Sequence, residues 1–159
     1  MQSTYAGGNL IIDAADGGFL NKGVLRAAGG TLTITGTTVT QQDAGEISVN
    51  SVSPSVVDIF ASTIIGGRMQ TSGSPAGTHY VQMRAGSVLE DVSIEGTVRV
   101  PNNNVLNVRN GITGTYTIQA QLFHFNGSGF PVQQDIHTAH FHHQSNVGPT
   151  DSDNDGLTD

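Results

Sequence analysis

Five of the six histidines fall within a stretch of 20 residues in the C-terminal part of the chain. His140 and His142 share one face if that stretch is a strand, and His124 can approach from a neighbouring strand. Three imidazoles can bind zinc, copper or nickel and leave a coordination position open. No His-x-Glu or Glu-x-x-His companion supplies a general base, which favours the alternative of a polar capping segment. The three histidines are therefore a hypothetical transition-metal site.

The last nine residues carry four of the 13 acidic side chains. Their sequence, Asp-Ser-Asp-Asn-Asp-Gly-Leu-Thr-Asp, resembles one unit of the thrombospondin type 3-like calcium repeats common after secreted bacterial domains. The resemblance implies a calcium site in which Asp151, Asp153 and Asp155 supply hard oxygen ligands and Asp159 adds a further carboxylate. The alternative is a solvated acidic tail without a bound ion.

Acidic residues that would suit a hydrolase or lyase are sparse in the rest of the chain. Cleavage of a glycan needs paired acids, or an acid beside a base, on one surface. Asp58 is isolated, and Glu90, Asp91 and Glu95 form the one acidic cluster. We therefore expect a solvated surface there and predict that the protein is not an enzyme.

The fold that positions these histidines and acidic residues is predicted from a short repeat in the sequence. A glycine followed by apolar residues two and four places on begins at five positions, separated by 22, 22, 29 and 18 residues: Gly23, Gly45, Gly67, Gly96 and Gly114. Such a period is too short for a domain and suits one coil of a solenoid. The prediction is that these five segments stack as equivalent strands.

A second repeat consists of apolar pairs spaced by two, which is the strand period. The pairs are Leu10/Ile12, Leu32/Ile34, Val57/Ile59, Val81/Met83 and Leu106/Val108. Their outward neighbours predict a surface column of Ile11, Thr33, Asp58, Gln82 and Asn107. A third, less regular segment is predicted around Phe19–Leu20, Val39, Ile64–Ile65, Val92–Ile94 and Ile112. Glu46 and Arg68 are predicted neighbours on adjacent coils.

Composition agrees with this assignment. Of 159 residues, 21 are glycine, only 12% are charged, and there is neither Cys nor Trp. The net charge of −7 and the lack of a basic patch make nucleic acid a poor partner. No signal peptide or membrane-spanning segment is expected from the sequence.

Residues 29–119 resemble the β-helical repeat arrays of large bacterial surface and secreted proteins, such as autotransporter passengers and filamentous-haemagglutinin-like adhesins. The residues that carry the resemblance are 29–36, 87–100, 103–108 and 114–118. The resemblance implies an all-β fold, a single-stranded parallel β-helix (β-solenoid) of about five coils, and an extracellular or cell-surface location.

Three regions are predicted: a β-solenoid over 1–121, a cap or side-packing segment over 122–150, and the acidic calcium-repeat-like tail over 151–159. The leading hypothesis is a structural, adhesin-like module, with end-to-end self-association into fibres as a variant. A glycan-binding or glycan-cleaving β-helix, with its site at the corner loops near 71–79, is the alternative. The expected partners are another copy of the chain, a glycan or a cell surface.

Overall fold

The structure, a computed structural model, describes residues 1–14, 17–51, 53–73, 78–125 and 131–143. Within these ranges the regular elements are all strands. In chain order they are β1 (Gln2–Ser3), β2 (Asn9–Ile12), β3 (Phe19–Asn21), β4 (Val24–Ala27), β5 (Thr31–Thr35), β6 (Thr38–Gln41), β7 (Glu46–Ser51), β8 (Ser55–Phe60), β9 (Thr63–Ile65), β10 (Arg68–Gly73), β11 (His79–Arg84), β12 (Val88–Val100), β13 (Asn107–Phe125) and β14 (Pro131–His143).

The strands wind into a parallel β-solenoid of about five coils, as the sequence predicted. Each coil contributes one strand to each of three faces, and equivalent strands pair in parallel from coil to coil. Face 1 contains β1, β4, β7, β10 and the middle of β12. Face 2 contains β2, β5, β8, β11 and the end of β12. Face 3 contains β3, β6, β9 and the start of β12.

The core is a stack of aliphatic side chains from alternate positions of the three faces. Fully buried members include Ile47 on face 1, Leu32 and Ile59 on face 2, and Ile64 and Leu89 on face 3. Burial of such a side chain contributes roughly 1.5–3 kcal/mol relative to exposure. Because each coil supplies only a few of them, a coil is stable only against its neighbours.

The corners are where the chain needs unusual backbone conformations. Gly96 has φ = 110°, and a Cβ there would lie 2.0 Å from the Thr71 hydroxyl oxygen of the preceding coil. Asn103 takes φ = 59° in the turn after Pro101, where the side-chain amide of Asn104 donates to the carbonyl of Asn102 at 2.9 Å. A side chain is thus excluded at Gly96, while asparagine tolerates the left-handed region at 103.

The structure corrects the predicted position of the Gly96 segment. Val98 pairs with Val81 on face 2, so residues 96–100 are not the fourth copy of the glycine strand. The face 1 column runs instead from Arg68 to Ser93. The physical reason is that Gly96 turns the corner inside β12 without a loop, whereas the earlier glycines stand before face 1. A glycine followed by apolar residues two and four places on occurs both before face 1 and before face 2, so the pattern alone does not distinguish the two faces.

Two further predictions of strand register are also wrong. Val108 pairs with Leu89 on face 3, so the pair Leu106/Val108 does not continue face 2. The face 3 column therefore contains Leu89, rather than the predicted Val92–Ile94, next to Ile64. Both errors have one cause, because β12 passes from face 3 through face 1 to face 2 without a loop, and Val92–Ile94 and Val108 therefore each lie one face further along the coil than predicted.

On face 1, Glu46 and Arg68 are register partners, as predicted. The guanidinium of Arg68 nevertheless forms its salt bridge with Glu95 of the next coil. Both side chains of that bridge are about half exposed, so we assign it little stability.

At the C-terminal end, β14 runs antiparallel to β13. The structure describes backbone pairing there and no side chains beyond residue 120. The capping role of 122–150 therefore stays a prediction.

Candidate functional site

The outer surface of face 2 carries a continuous group of charged, amide and aromatic side chains over coils three to five. We define the face 2 patch as Asp58, Phe60, Tyr80, Gln82, Arg84 and Arg99. Strand alternation produces it: inward Val57, Ile59, Val81 and Met83 are fully buried, so the residues between them point out. Hydrophobic burial therefore fixes which side chains the patch presents.

Asp58 is the most enclosed member of the patch. Arg84 binds it with two donors, the Nε at 2.8 Å from Oδ1 and the Nη2 on Oδ2. The Gln82 amide donates a third hydrogen bond, with 3.4 Å between nitrogen and Oδ1. The Asp58 side chain is only 10% exposed, whereas that of Arg84 is 37% exposed. The side-chain hydrogen bond with Asp58 raises the pKa of Arg84 and outweighs the opposing effect of its desolvation.

Both arginines lie against aromatic rings of the preceding coil. The guanidinium carbon of Arg84 is 5.1 Å from the centroid of the Phe60 ring. That of Arg99 is 3.7 Å from the centroid of the Tyr80 ring. Stacking of this kind restricts the side chain and leaves the edge of the planar fork as the donor.

Arg99 also contacts a neutral acceptor on the next coil. Its Nε and Nη2 donate to the Gln119 side-chain oxygen at 3.2 and 3.1 Å. A guanidinium prefers a charged carboxylate, sulfate or phosphate oxygen to an amide oxygen. The Arg99 guanidinium is thus held between the Tyr80 ring of one coil and the Gln119 side chain of the next.

A buried hydroxyl ladder supports the patch from the corner between faces 2 and 3. The Thr37 amide donates to Ser62 Oγ, and the Ser62 amide donates to Ser87 Oγ, both at 3.3 Å. Ser62 Oγ donates in turn to the Phe60 carbonyl at 2.8 Å, and Ser87 Oγ to the Arg84 carbonyl at 2.6 Å. The ladder therefore fixes the backbone of two patch residues while it joins three coils.

The other two corners also hold buried polar groups. Between faces 3 and 1, the Gln41 amide donates to the Gly66 carbonyl at 2.9 Å, and Asn21 donates to the Glu46 carbonyl at 3.3 Å. Between faces 1 and 2, His79 is 5% exposed, and its ring nitrogens have no hydrogen-bond partner among the described residues. The side-chain amides of Gln41 and Asn21 thus connect neighbouring coils, whereas the His79 ring is buried without a described hydrogen bond.

The predicted metal residues are only partly within the described chain. Asp151, Asp153, Asp155 and Asp159 lie outside the described residues. The backbone register places His140 opposite Thr117 and His142 opposite Thr115, whereas His124 pairs with Gln133 further along the same hairpin. Side chains are not described there, so the transition-metal site stays a prediction. Among the described side chains no group of three His, Asp or Glu residues is arranged to hold a metal.

Sequence reasoning found Asp58 and Gln82 but missed both arginines. Arg84 is the register partner of Phe60 and lies diagonally opposite Asp58, so the predicted isolation of Asp58 is wrong. Arg99, not Asn107, follows Gln82 in the outward column. The signal for Arg84 was present, because Phe60 and Arg84 stand one coil period apart in the same alignment as Asp58 and Gln82.

Comparison of the chain with protein-family models, with curated proteins and with solved structures gives no match. The described part of the chain contains no helix long and apolar enough to span a membrane. Function must therefore be inferred from the coils and the face 2 patch.

Proposed function

We propose that this chain is a rigid structural module of an extracellular, adhesin-like β-solenoid that belongs to a bacterial surface or secreted protein. The observation that carries the proposal is the unbroken stacking of parallel coils, with hydrogen-bonded side chains that connect one coil to the next at the corners. The resemblance of residues 29–119 to bacterial β-helical arrays supports the location. A rod of this kind holds its outer surface at a fixed distance from its attachment point.

Rigidity follows from how each coil is stabilised. Every internal strand bonds both neighbouring coils, and the Ser62 and Ser87 hydroxyls bridge coils where the backbone turns. A local opening would therefore break ladder bonds on both sides as well as expose core residues. With about 4.8 Å between neighbouring coils, five coils extend roughly 24 Å along the axis.

Spin-label distances test this rigidity. Val24 and Thr113 occupy one face 1 column with Glu46, Arg68 and Ser93 between them, which makes four coil steps. Because the chain has no cysteine, labels can be placed only at introduced ones. We expect Val24→Cys/Thr113→Cys to give a narrow distribution centred on a backbone separation of about 19 Å.

The matched pair is Val24→Cys/Ser93→Cys, one coil shorter, which should give about 14 Å. A broad distribution for either pair, or distances that do not differ by about one coil, would contradict a rigid rod.

Self-association end to end is a variant of this proposal. Among the described strands, β2 pairs only with β5, and β3 only with β6, so each has an unpaired edge. Ile11 is 60% exposed and Leu20 49% exposed on that first coil. Light scattering and negative-stain microscopy should show assemblies that Ile11→Lys/Leu20→Lys abolishes. A wild-type monomer at all concentrations would eliminate the variant.

Calcium binding by the acidic tail is proposed from its sequence alone. Titration calorimetry should detect calcium binding that Asp153→Asn/Asp155→Asn removes and that Asp13→Asn, outside the tail, leaves unchanged. Absence of calcium-dependent heat at millimolar calcium would leave the tail as a solvated linker.

The histidine site is tested in the same way with zinc and nickel. His140→Ala/His142→Ala should abolish binding at neutral pH, whereas His137→Ala should not. Equal binding by all of these variants would exclude the site.

Glycan recognition is the second candidate function, and the observation that favours it is the face 2 patch. Binding is better supported than cleavage, because the Asp58 carboxylate is engaged by Arg84 and Gln82. Both carboxylate oxygens already accept hydrogen bonds from these side chains, and the Asp58 side chain is only 10% exposed, so little of it is accessible to a substrate.

A further inference from the structure

We infer that Asn110 is a site of spontaneous deamidation, at which the backbone nitrogen of Gly111 attacks the side-chain amide of Asn110 and a carboxylate results. The two residues lie in β13, at the corner between faces 3 and 1. The reaction needs water as its only co-reactant. It goes beyond the proposed structural role of the chain and does not rest on it.

The backbone at this corner leaves the regular ladder. The register between β12 and β13 is interrupted here, so that Asn110 and Gly111 together stand opposite Asp91. Such a bulge disrupts the hydrogen bonds between the two strands. Asn110 has φ = 54° and Gly111 has φ = 88°, whereas a regular strand has negative φ throughout. The ladder therefore does not hold the attacking nitrogen in extended geometry.

Space around the pair is open. Asn110 and Gly111 are both exposed, and no atom of the described chain beyond the immediate neighbours of Gly111 lies within 4 Å of the position that its Cβ would take. Because Gly111 has no side chain, the attacking nitrogen lacks the steric shield that a branched residue would provide. Water for the second step reaches the corner from solvent.

The reaction balances in two steps. The Gly111 nitrogen bonds to Cγ of Asn110, the Cγ–Nδ2 bond breaks, and Nδ2 leaves as ammonia with the proton from the Gly111 nitrogen. Water then adds to either carbonyl of the resulting succinimide. Opening at Cγ gives aspartate, and opening at the former backbone carbonyl of Asn110 gives isoaspartate, whose backbone runs through the side chain.

The product reverses a contact between the last two parallel strands of the described chain. Nδ2 of Asn110 donates to Oε1 of Glu90 at 3.0 Å. After deamidation a carboxylate replaces this donor, so two negative charges face each other across β12 and β13, with Asp91 next in sequence to Glu90. Isoaspartate also lengthens the backbone by a methylene group. Both products weaken the attachment of β13 to the preceding coil.

The first test is incubation of the folded full chain in mildly alkaline buffer, followed by chymotryptic peptide mapping with mass spectrometry. Asn107 is the internal control, because it is exposed on the same strand and donates to the Gly86 carbonyl at 2.9 Å, but is followed by Val108. We expect Asn110 to convert about tenfold faster than Asn107 or more, since a β-branched neighbour hinders the attack. Asn110→Gln should abolish the conversion.

The same incubation in urea separates the effect of the fold from that of the Asn-Gly pair. Because the bulge leaves the attacking nitrogen accessible, the folded chain should convert Asn110 at a rate comparable with that of the unfolded chain. Asn126 also precedes a glycine and lies outside the described residues. Cleavage after Tyr116 places it in a separate peptide.

The second test measures the effect of the product by hydrogen exchange. Asn110→Asp should speed exchange of the β13 amides on face 3 about two- to fivefold, which is the effect of like charges opposed across strands. Glu90→Gln should restore the slower exchange in Asn110→Asp and leave that of Asn107→Asp, which changes the net charge equally, unaltered.

The inference is overturned if Asn110 converts no faster than Asn107, if it converts only in urea, or if Glu90→Gln fails to relieve Asn110→Asp. None of these outcomes alters the spin-label distances of the unmodified chain, so the rod and the modification site fail separately.

Discussion

Ser62→Ala is the most informative single change to the stack, because Ser62 both accepts and donates within the corner ladder. It is 3% exposed, accepts from the Thr37 amide at 3.3 Å and donates to the Phe60 carbonyl at 2.8 Å. Alanine removes both bonds and leaves the buried Thr37 amide without its acceptor. Loss of one ordinary hydrogen bond costs about 1 kcal/mol, and an orphaned buried donor about 1–3 kcal/mol.

The expected loss of unfolding free energy is therefore about 2–3 kcal/mol, which corresponds to a drop in melting temperature of roughly 5–10 °C for a chain of this size. Ser62→Thr should recover most of it, since Thr37 occupies the equivalent ladder position in the preceding coil. Ser93→Ala, on the outer side of β12, is the matched control and should change stability by less than about 0.5 kcal/mol.

Urea unfolding followed by circular dichroism measures the overall loss, and hydrogen exchange of the Thr37 amide measures the local one. The exchange experiment is needed because a repeat stack can unfold in parts, in which case one unfolding free energy does not describe it. A loss below about 0.5 kcal/mol in Ser62→Ala, with Thr37 still protected, would refute the role assigned to the ladder.

Three further predictions test the corner, the patch and the alkaline stability. Gly96→Ala should cost more than about 3 kcal/mol in urea unfolding, because its Cβ meets the neighbouring coil at 2.0 Å, whereas Gly23→Ala, with open space around it, should be neutral. Arg84→Leu should cost about 2 kcal/mol and Asp58→Asn about 1 kcal/mol, because only the former leaves a buried carboxylate without its ion-pair partner; equal losses would contradict this asymmetry. Burial raises the pKa of Tyr116 above its ordinary value of 10.0, so the unfolded chain ionises first and stability should fall as pH rises above about 10. Tyr116→Phe should remove that part of the alkaline loss, and an unchanged pH profile of unfolding would show that another group causes it.

The sequence was sufficient for the architecture because each coil must satisfy a local rule. A strand period of two, repeated every 22 to 25 residues, allows one arrangement that buries every apolar pair, and Leu10, Leu32, Val57 and Val81 do stand in register. Parallel stacking follows because equivalent strands run in the same direction.

The later register was not predictable, for a physical reason that Gly96 illustrates. A glycine followed by two apolar positions describes a strand that leaves a corner, but not which corner it leaves. Two contacts with the neighbouring coil determine that Gly96 stands before face 2: its close approach to Thr71 and the pairing of Val98 with Val81.

The composition of the face 2 patch depends on the same strand register. Composition, net charge and the outward position of Asp58 were determined by the sequence alone, as was the stacking of Asp58 against Gln82. Only the tertiary structure placed Arg84 on Asp58 and Arg99 on Tyr80, because these contacts are diagonal and depend on how successive coils are offset. Inward packing of aliphatic side chains determines, within each strand, which residues point outward. The offset between successive coils depends instead on the length and conformation of all the corners between them.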